Sequence, residues 1–184
     1  SNDNPLVNIK LFTGNTAQVV RWLYERKIGL GFVEGIAEDQ SLKYNKILDD
    51  QLIWVARVSH PLFNQGPISM ECAKQQEFIF REPGSGTNDI VFQKFKEHGL
   101  HSNDLINRVQ MSSSESIKQY IRYSNSIGIL SRYAVKNELE NGILKQIEIQ
   151  GEEINRELYL VHLHGELSGL PKQFIRSLSQ ALKD

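Results

Sequence analysis

Apolar residues recur along this chain with two different periods in alternation, and that restricts the fold more than any other feature. VNIKLFT (residues 7–13) places Val7, Ile9 and Leu11 at every second position, the signature of a strand. GNT follows, and Asn15 or Thr16 can cap a helix running through AQVVRWLYER. IGLGFVEG (residues 28–35) is a short apolar run between glycines and reads as a buried strand parallel to the first, which makes a βαβ unit.

The alternation continues. LDDQLIWVARVSHPL (residues 48–62) carries a longer strand stopped by Pro61, and a short helix surrounds Cys72. FIFREPGSGT reads as strand, turn and helix start, with Ile90, Val91, Phe92 and Phe95 on a helix that ends at Gly99. NRVQMS, IGILS, ILKQIEIQ and LYLVHLH read as strands, SSESIKQYIRYS as a helix. LPKQFIRSLSQAL reads as a terminal amphipathic helix with Phe174, Ile175, Leu178 and Leu182 on one face. Strands alternating with helices predict an α/β protein with largely parallel sheets. The strands after Leu48 and Arg156 follow polar, acidic stretches and are candidates for two crossings between lobes, one out and one back.

Three polar turns each open a helix. In PGSGT, Pro83-Gly84 sets the turn, Gly84 and Gly86 admit close backbone approach, and Ser85, Thr87 or Asn88 falls in the first helical turn. Free N–H groups and the helix dipole favour an anion there. Read alone, the segment is equally a capped turn: no GK[ST] follows for a P-loop, and the third glycine of a dinucleotide fingerprint is missing. GNT (residues 14–16) and MSSSES (residues 111–116) are turns of the same kind. If all three lie at the carboxyl ends of strands, they can converge on one cleft.

Composition removes several alternatives. Lys and Arg number 21 against 22 Asp and Glu, so no basic excess marks this segment as a nucleic-acid binder by itself. The single cysteine, Cys72, allows no intrachain disulfide and reads as a small, buried apolar side chain. His162 and His164 share a strand face without a third ligand at a diagnostic spacing, so no metal is expected, and the histidines read as surface or interface residues. Asp49-Asp50 and Glu152-Glu153 read as solvated faces. No GxSxG elbow occurs, and no catalytic residue or cofactor is expected. No apolar stretch is long enough to span a membrane and no leader opens the chain, so a cytoplasmic location without membrane contact is expected.

In order, GNTAQVVRWLYERKIGLGFVEG, LDDQLIWVARVSHPL, FIFREPGSGTNDIVFQKFKEHGL, SSSESIKQYIRYSNSIGILSRYAVKNEL and RELYLVHLHGELSGLPKQFIRSL resemble the effector-binding domain of LysR-type transcriptional regulators, with some likeness to the sulfur-assimilation branch. The resemblance covers nearly the whole chain, and the order of the segments is what makes it specific. It implies an α/β, two-lobed, periplasmic-binding-protein-like (type 2) fold, each lobe a mixed sheet flanked by helices. Residues 1–50 plus 157–184 would form one lobe and residues 51–156 the other.

The resemblance also implies effector contacts at Asn15 and Thr16, near Glu34, and at Ser85, Gly86 and Thr87; Ser112 and Ser113 extend the set by analogy of the turns. The effector would be a small anionic metabolite such as sulfate, acetylserine or a small carboxylate. Further implications are a homodimer using the helix with Trp22 and Tyr24, a tetramer of the full-length protein, and DNA contacts through a winged helix-turn-helix that this chain does not contain. The family's domain usually begins with a further strand, polar turn and helix ahead of Val7, and that turn contributes to the effector site. A solute-binding protein for transport shares the fold and is the alternative reading. An enzyme for a phosphorylated or carboxylated substrate at the same turns is a third.

Overall fold

The computed structural model describes residues 9–35, 41–165 and 169–181. The first helix, α1 (Thr16–Tyr24), starts at an Asn15 capping box: Asn15 Oδ1 accepts from Gln18 N at 3.0 Å, and Gln18 Oε1 accepts from Asn15 N at 3.0 Å. Val19 and Leu23, four apart, are its buried face. Strand β1 (Gly31–Glu34) is followed by the 16-residue β2 (Leu42–Arg57). A short helix α2 (Met70–Ala73) leads to β3 (Glu77–Arg81), α3 (Gly86–Glu97) and β4 (Ile106–Met111). Then come α4 (Ser114–Ile121), β5 (Ile127–Ser131), α5 (Lys136–Glu140), β6 (Leu144–Ile147), β7 (Ile154–Leu163) and α6 (Leu170–Ala181).

The strands form one sheet in the order β1-β7-β2-β5-β3-β4, with β6 on β2. Residues 42–52 of β2 run antiparallel to β7; beyond that point β6 takes the edge that β7 leaves, and β5 holds the other edge. The expectation of largely parallel pairing is corrected. Among the described strand pairs, β3–β4 and β3–β5 are parallel, where α3 and α4 cross over; β1–β7, β2–β7, β2–β5 and β2–β6 are antiparallel. A chain that leaves along β2 and returns along β7 lays those strands side by side in opposite directions.

The opening strand is a second correction. Within 7–13, the described residues 9–13 form no strand, and Ile9 and Leu11 are 68% and 87% exposed. Alternating side chains specify a strand only where a neighbouring edge takes up the backbone groups, and this segment meets none among the described residues. Without it the first βαβ unit is not formed, and β1 pairs antiparallel with β7.

LIWVA in β2 is continuously apolar because both of its faces are covered. Leu52, Trp54 and Ala56 join one core with Phe78, Phe80 and Phe95; Ile53 and Val55 join another with Ile79, Ile117 and Ile121. Trp54 meets the rings of Phe78 and Phe95 edge-on at 5.4 Å each, so aromatic contacts lock β2 to β3 and α3. Each such large side chain contributes roughly 1.5–3 kcal/mol by burial. A third cluster packs Val19 and Leu23 of α1 on Val33, Leu42, Tyr159 and Val161. Cys72, half-buried, packs beside the first core.

Two histidines are interior, against the expectation. His60 is buried because the backbone satisfies both ring nitrogens: Nδ1 accepts from Leu62 N at 3.3 Å and Nε2 lies 2.9 Å from Asn125 O. His162, buried on β7, has Nδ1 2.8 Å from Leu163 O. His98, His101 and His164 are exposed. Among the described residues no helix is long and apolar enough to cross a membrane.

Candidate functional site: a cavity between two helix starts

The turns GNT and PGSGT touch. Gly84 has φ +85°, the left-handed conformation a glycine adopts without strain, and its carbonyl accepts from Ala17 N at 3.2 Å. Asn15 Nδ2 reaches Pro83 O at 3.4 Å. Asn88 braces the turn from inside, accepting from Arg81 N at 3.0 Å and donating to the Arg81 carbonyl. Gly86 sits in the seam: a Cβ there would lie 2.7 Å from Glu34 O and 2.9 Å from Thr16 Oγ1.

Beside this contact is a cavity of about 370 Å³. Its polar wall is Asn15, Thr16, Glu34, Arg81 and Ser85; Phe32, Ile47, Leu48, Leu158 and Leu178 supply the apolar wall. The starts of α1 and α3 both open onto it; at α1, Ala17 N and Gln18 N are already taken by Gly84 O and Asn15 Oδ1, whereas the α3 start has no side-chain cap.

Ser85 is the N-cap residue of α3, yet its hydroxyl makes no capping hydrogen bond. It is 1% exposed, and among the described residues Oγ has no hydrogen-bond partner. Arg81 lines the cavity while its guanidinium forks onto Glu82, Nε to Oε2 at 2.8 Å and Nη2 to Oε1 at 3.1 Å. Burial works to raise the Glu82 pKa, but the Arg81 fork and, more weakly, Asn15 hold it below the usual carboxylate value.

Behind the cavity lies a buried ion network. Arg156 Nε meets Asp50 Oδ2 at 2.6 Å, and Arg156 Nη1 meets Glu34 Oε1 at 2.8 Å and Thr87 Oγ1 at 3.0 Å. Thr87 donates to Glu34 Oε2 at 2.7 Å. Asp50 Oδ1 also accepts from Gln51 N at 2.9 Å and Ser131 Oγ at 3.0 Å. The register sets this up, because Asp50 and Arg156 are direct partners across β2 and β7, and Glu34 is paired with Leu158, two residues further along. The Asp50 side chain is fully buried, which corrects its reading as a solvated face; a guanidinium one strand away replaces the water.

Of the residues singled out from sequence, Asn15, Thr16, Glu34 and Ser85 line the cavity. Gly86 lies in the seam, and Thr87 is engaged by Glu34 and Arg156. The structure does not bring Ser112 and Ser113 to this cavity; Ser113 Oγ caps α4, accepting from Ser116 N at 3.1 Å, and Ser112 is exposed. Arg81 and Arg156 were missed, although Arg81 opens the same REPGSGT segment. Among the described residues no group of three or more His, Cys, Asp or Glu could hold a metal ion.

The strand order and this cavity define a ligand-binding domain of the type 2 periplasmic-binding-protein-like fold. The chain belongs to the LysR substrate binding domain family, whose model matches residues 1–183. It is 30% identical over 183 residues to a RuBisCO operon transcriptional regulator of Acidithiobacillus ferrooxidans, covering 99% of this chain and 58% of that protein. It is 29% identical over 161 residues to the HTH-type transcriptional regulator YeiE of Escherichia coli K12, covering 88% and 54%. It thus spans somewhat more than half the length of these relatives. The regulatory domain of CcmR from Synechocystis PCC6803, solved in complex with 2-PG, superposes with a TM-score of 0.88 at 27% identity, over 100% of this chain and 87% of that one.

Proposed function

We propose that the cavity between the starts of α1 and α3 is the effector site of a ligand-controlled transcriptional regulator, and that its ligand is a small metabolite with an acidic group. One observation carries the choice of ligand: Ser85 Oγ is buried without a partner at the start of a 12-residue helix, beside Arg81 and Thr16. An acidic group there would accept from the hydroxyl and the free N–H groups together. Sulfate, acetylserine and small carboxylates have the required chemistry, and the 2-PG bound by the CcmR regulatory domain supports a small acidic ligand. The relatives are named as transcriptional regulators, which favours this reading over a transport protein and over turnover of the ligand.

The lobes proposed are residues 1–50 with 157–184, and 51–156. The apolar clusters support that division, since they change hands between Leu42 and Leu52 on β2 and between Ile154 and Tyr159 on β7. A ligand that binds one lobe arrangement more tightly shifts the population toward it. In the longer, cytoplasmic protein this movement would pass through a homodimer or tetramer to a DNA-binding segment outside this chain. The interface proposed for that homodimer is on α1, the helix that carries Trp22 and Tyr24. The test is to footprint the full-length protein on its own promoter with and without each candidate acid. A ligand-dependent change in the protected region is expected. A ligand that binds this domain yet leaves both affinity and footprint unchanged would overturn the regulatory reading.

A further inference from the structure

The cavity lining carries two kinds of chemistry, and the difference restricts the ligand further. The donors are Ser85 Oγ, the first N–H groups of α3, and Arg81. In the same lining is Glu34, a carboxylate that can only accept. Glu34 lies close to the donors, because a Cβ on Gly86, the residue after Ser85, would lie 2.9 Å from Glu34 Cβ.

Glu34 is not neutralised outright. Arg156 is one guanidinium shared between two carboxylates, Glu34 and Asp50. Asp50 has no exposed side-chain surface and takes Nε for itself, leaving Glu34 a share of Nη1, which Thr87 also uses. Among the named charges around the cavity, Arg81 and Arg156 face Glu34, Glu82 and Asp50, so the acidic groups exceed the basic ones by one. Among the described residues each Glu34 oxygen meets one partner, Arg156 at Oε1 and Thr87 at Oε2, and a carboxylate oxygen offers two lone pairs. The remaining capacity belongs to a side chain that is 24% exposed and lines the cavity.

A bare oxyanion held by Ser85 would set acceptor against acceptor at Glu34, with no proton between them. We infer that the effector carries, besides its acidic group, a hydroxyl or ammonium donor directed at Glu34: a hydroxy or amino acid rather than a simple oxyanion. This rests on the effector-site reading above and adds the second functional group.

The experiment is calorimetric titration of this domain with matched series: propionate, lactate and alanine; succinate, malate and aspartate; and sulfate and phosphate alone. In at least one organic series the hydroxy or amino member should bind about tenfold or more tightly than its parent acid. Glu34→Gln and Glu34→Asp should reduce that ratio, and because both members are measured on the same variant, any loss of stability cancels. Parent acids or bare oxyanions binding as tightly as the donor-bearing acids would overturn the inference while keeping the acidic-ligand site. No binding by any member at about 10 mM, where even millimolar affinity registers, would overturn the site itself and this inference with it.

Discussion

Two serines stand at the N-caps of two helices, and the same substitution should move the stability of the ligand-free domain in opposite directions. Ser113 caps α4 by accepting from Ser116 N at 3.1 Å, so Ser113→Ala removes a working cap and should cost about 0.5–2 kcal/mol. Ser85 is the N-cap of α3 without a capping bond, 1% exposed, and its Oγ is unpartnered. Removing a buried hydroxyl that has given up water without gaining a partner recovers part of a desolvation cost of about 1–3 kcal/mol, less the packing lost with one oxygen. A net gain near 1 kcal/mol raises the melting temperature of a domain of this size by about 2–4 °C. Thermal unfolding in buffer free of sulfate, phosphate and carboxylates reads both effects. With a saturating ligand from the matched acids the order at residue 85 should reverse, since wild type then completes the bond that Ser85→Ala cannot. A ligand-free Ser85→Ala domain that melts below wild type, in step with Ser113→Ala, would refute the reasoning, because the hydroxyl would then have a partner.

Gly86→Ala places a Cβ 2.7 Å from Glu34 O, with backbone on the receiving side, and should cost about 1–3 kcal/mol in thermal unfolding while weakening ligand binding; Gly29→Ala, with nothing within 4 Å, should leave both unchanged. Glu152 is tied to Lys94 at 2.8 Å and His98 at 3.0 Å, and its pKa is lowered, first by the Lys94 hydrogen bond, against the burial that would raise it. A carboxyl with a depressed folded pKa contributes stability above its unfolded value near 4.5, and that contribution is lost as pH falls through the folded value. Denaturant titrations between pH 7 and 3 should therefore show wild type losing stability below about pH 4.5 more steeply than Glu152→Gln; parallel curves would count against the clamp.

Much of the fold is legible along the chain because its signals are local. The apolar run LIWVA announces a strand covered on both faces, and PGSGT announces a strand-to-helix turn through the backbone demands of Gly84 and the short side chains after it. Asn15 followed by Gln18 spells out a capping box. The alternation in 7–13 is equally local and did not suffice, because a strand also needs an edge to pair with, and its described residues meet none.

The candidate site divides in the same way. In REPGSGT the turn, the helix start and the presence of donors all follow from the conformations open to neighbouring residues. What those donors do depends on which distant segments pack against them. Thr87 is occupied by partners 53 and 69 residues away in sequence, Ser85 is left without one, and Asp50 is buried because Arg156 faces it from 106 residues further along the chain. Burial and pairing are properties of position in space, and no short-range pattern records which distant strand will stand opposite a given carboxylate.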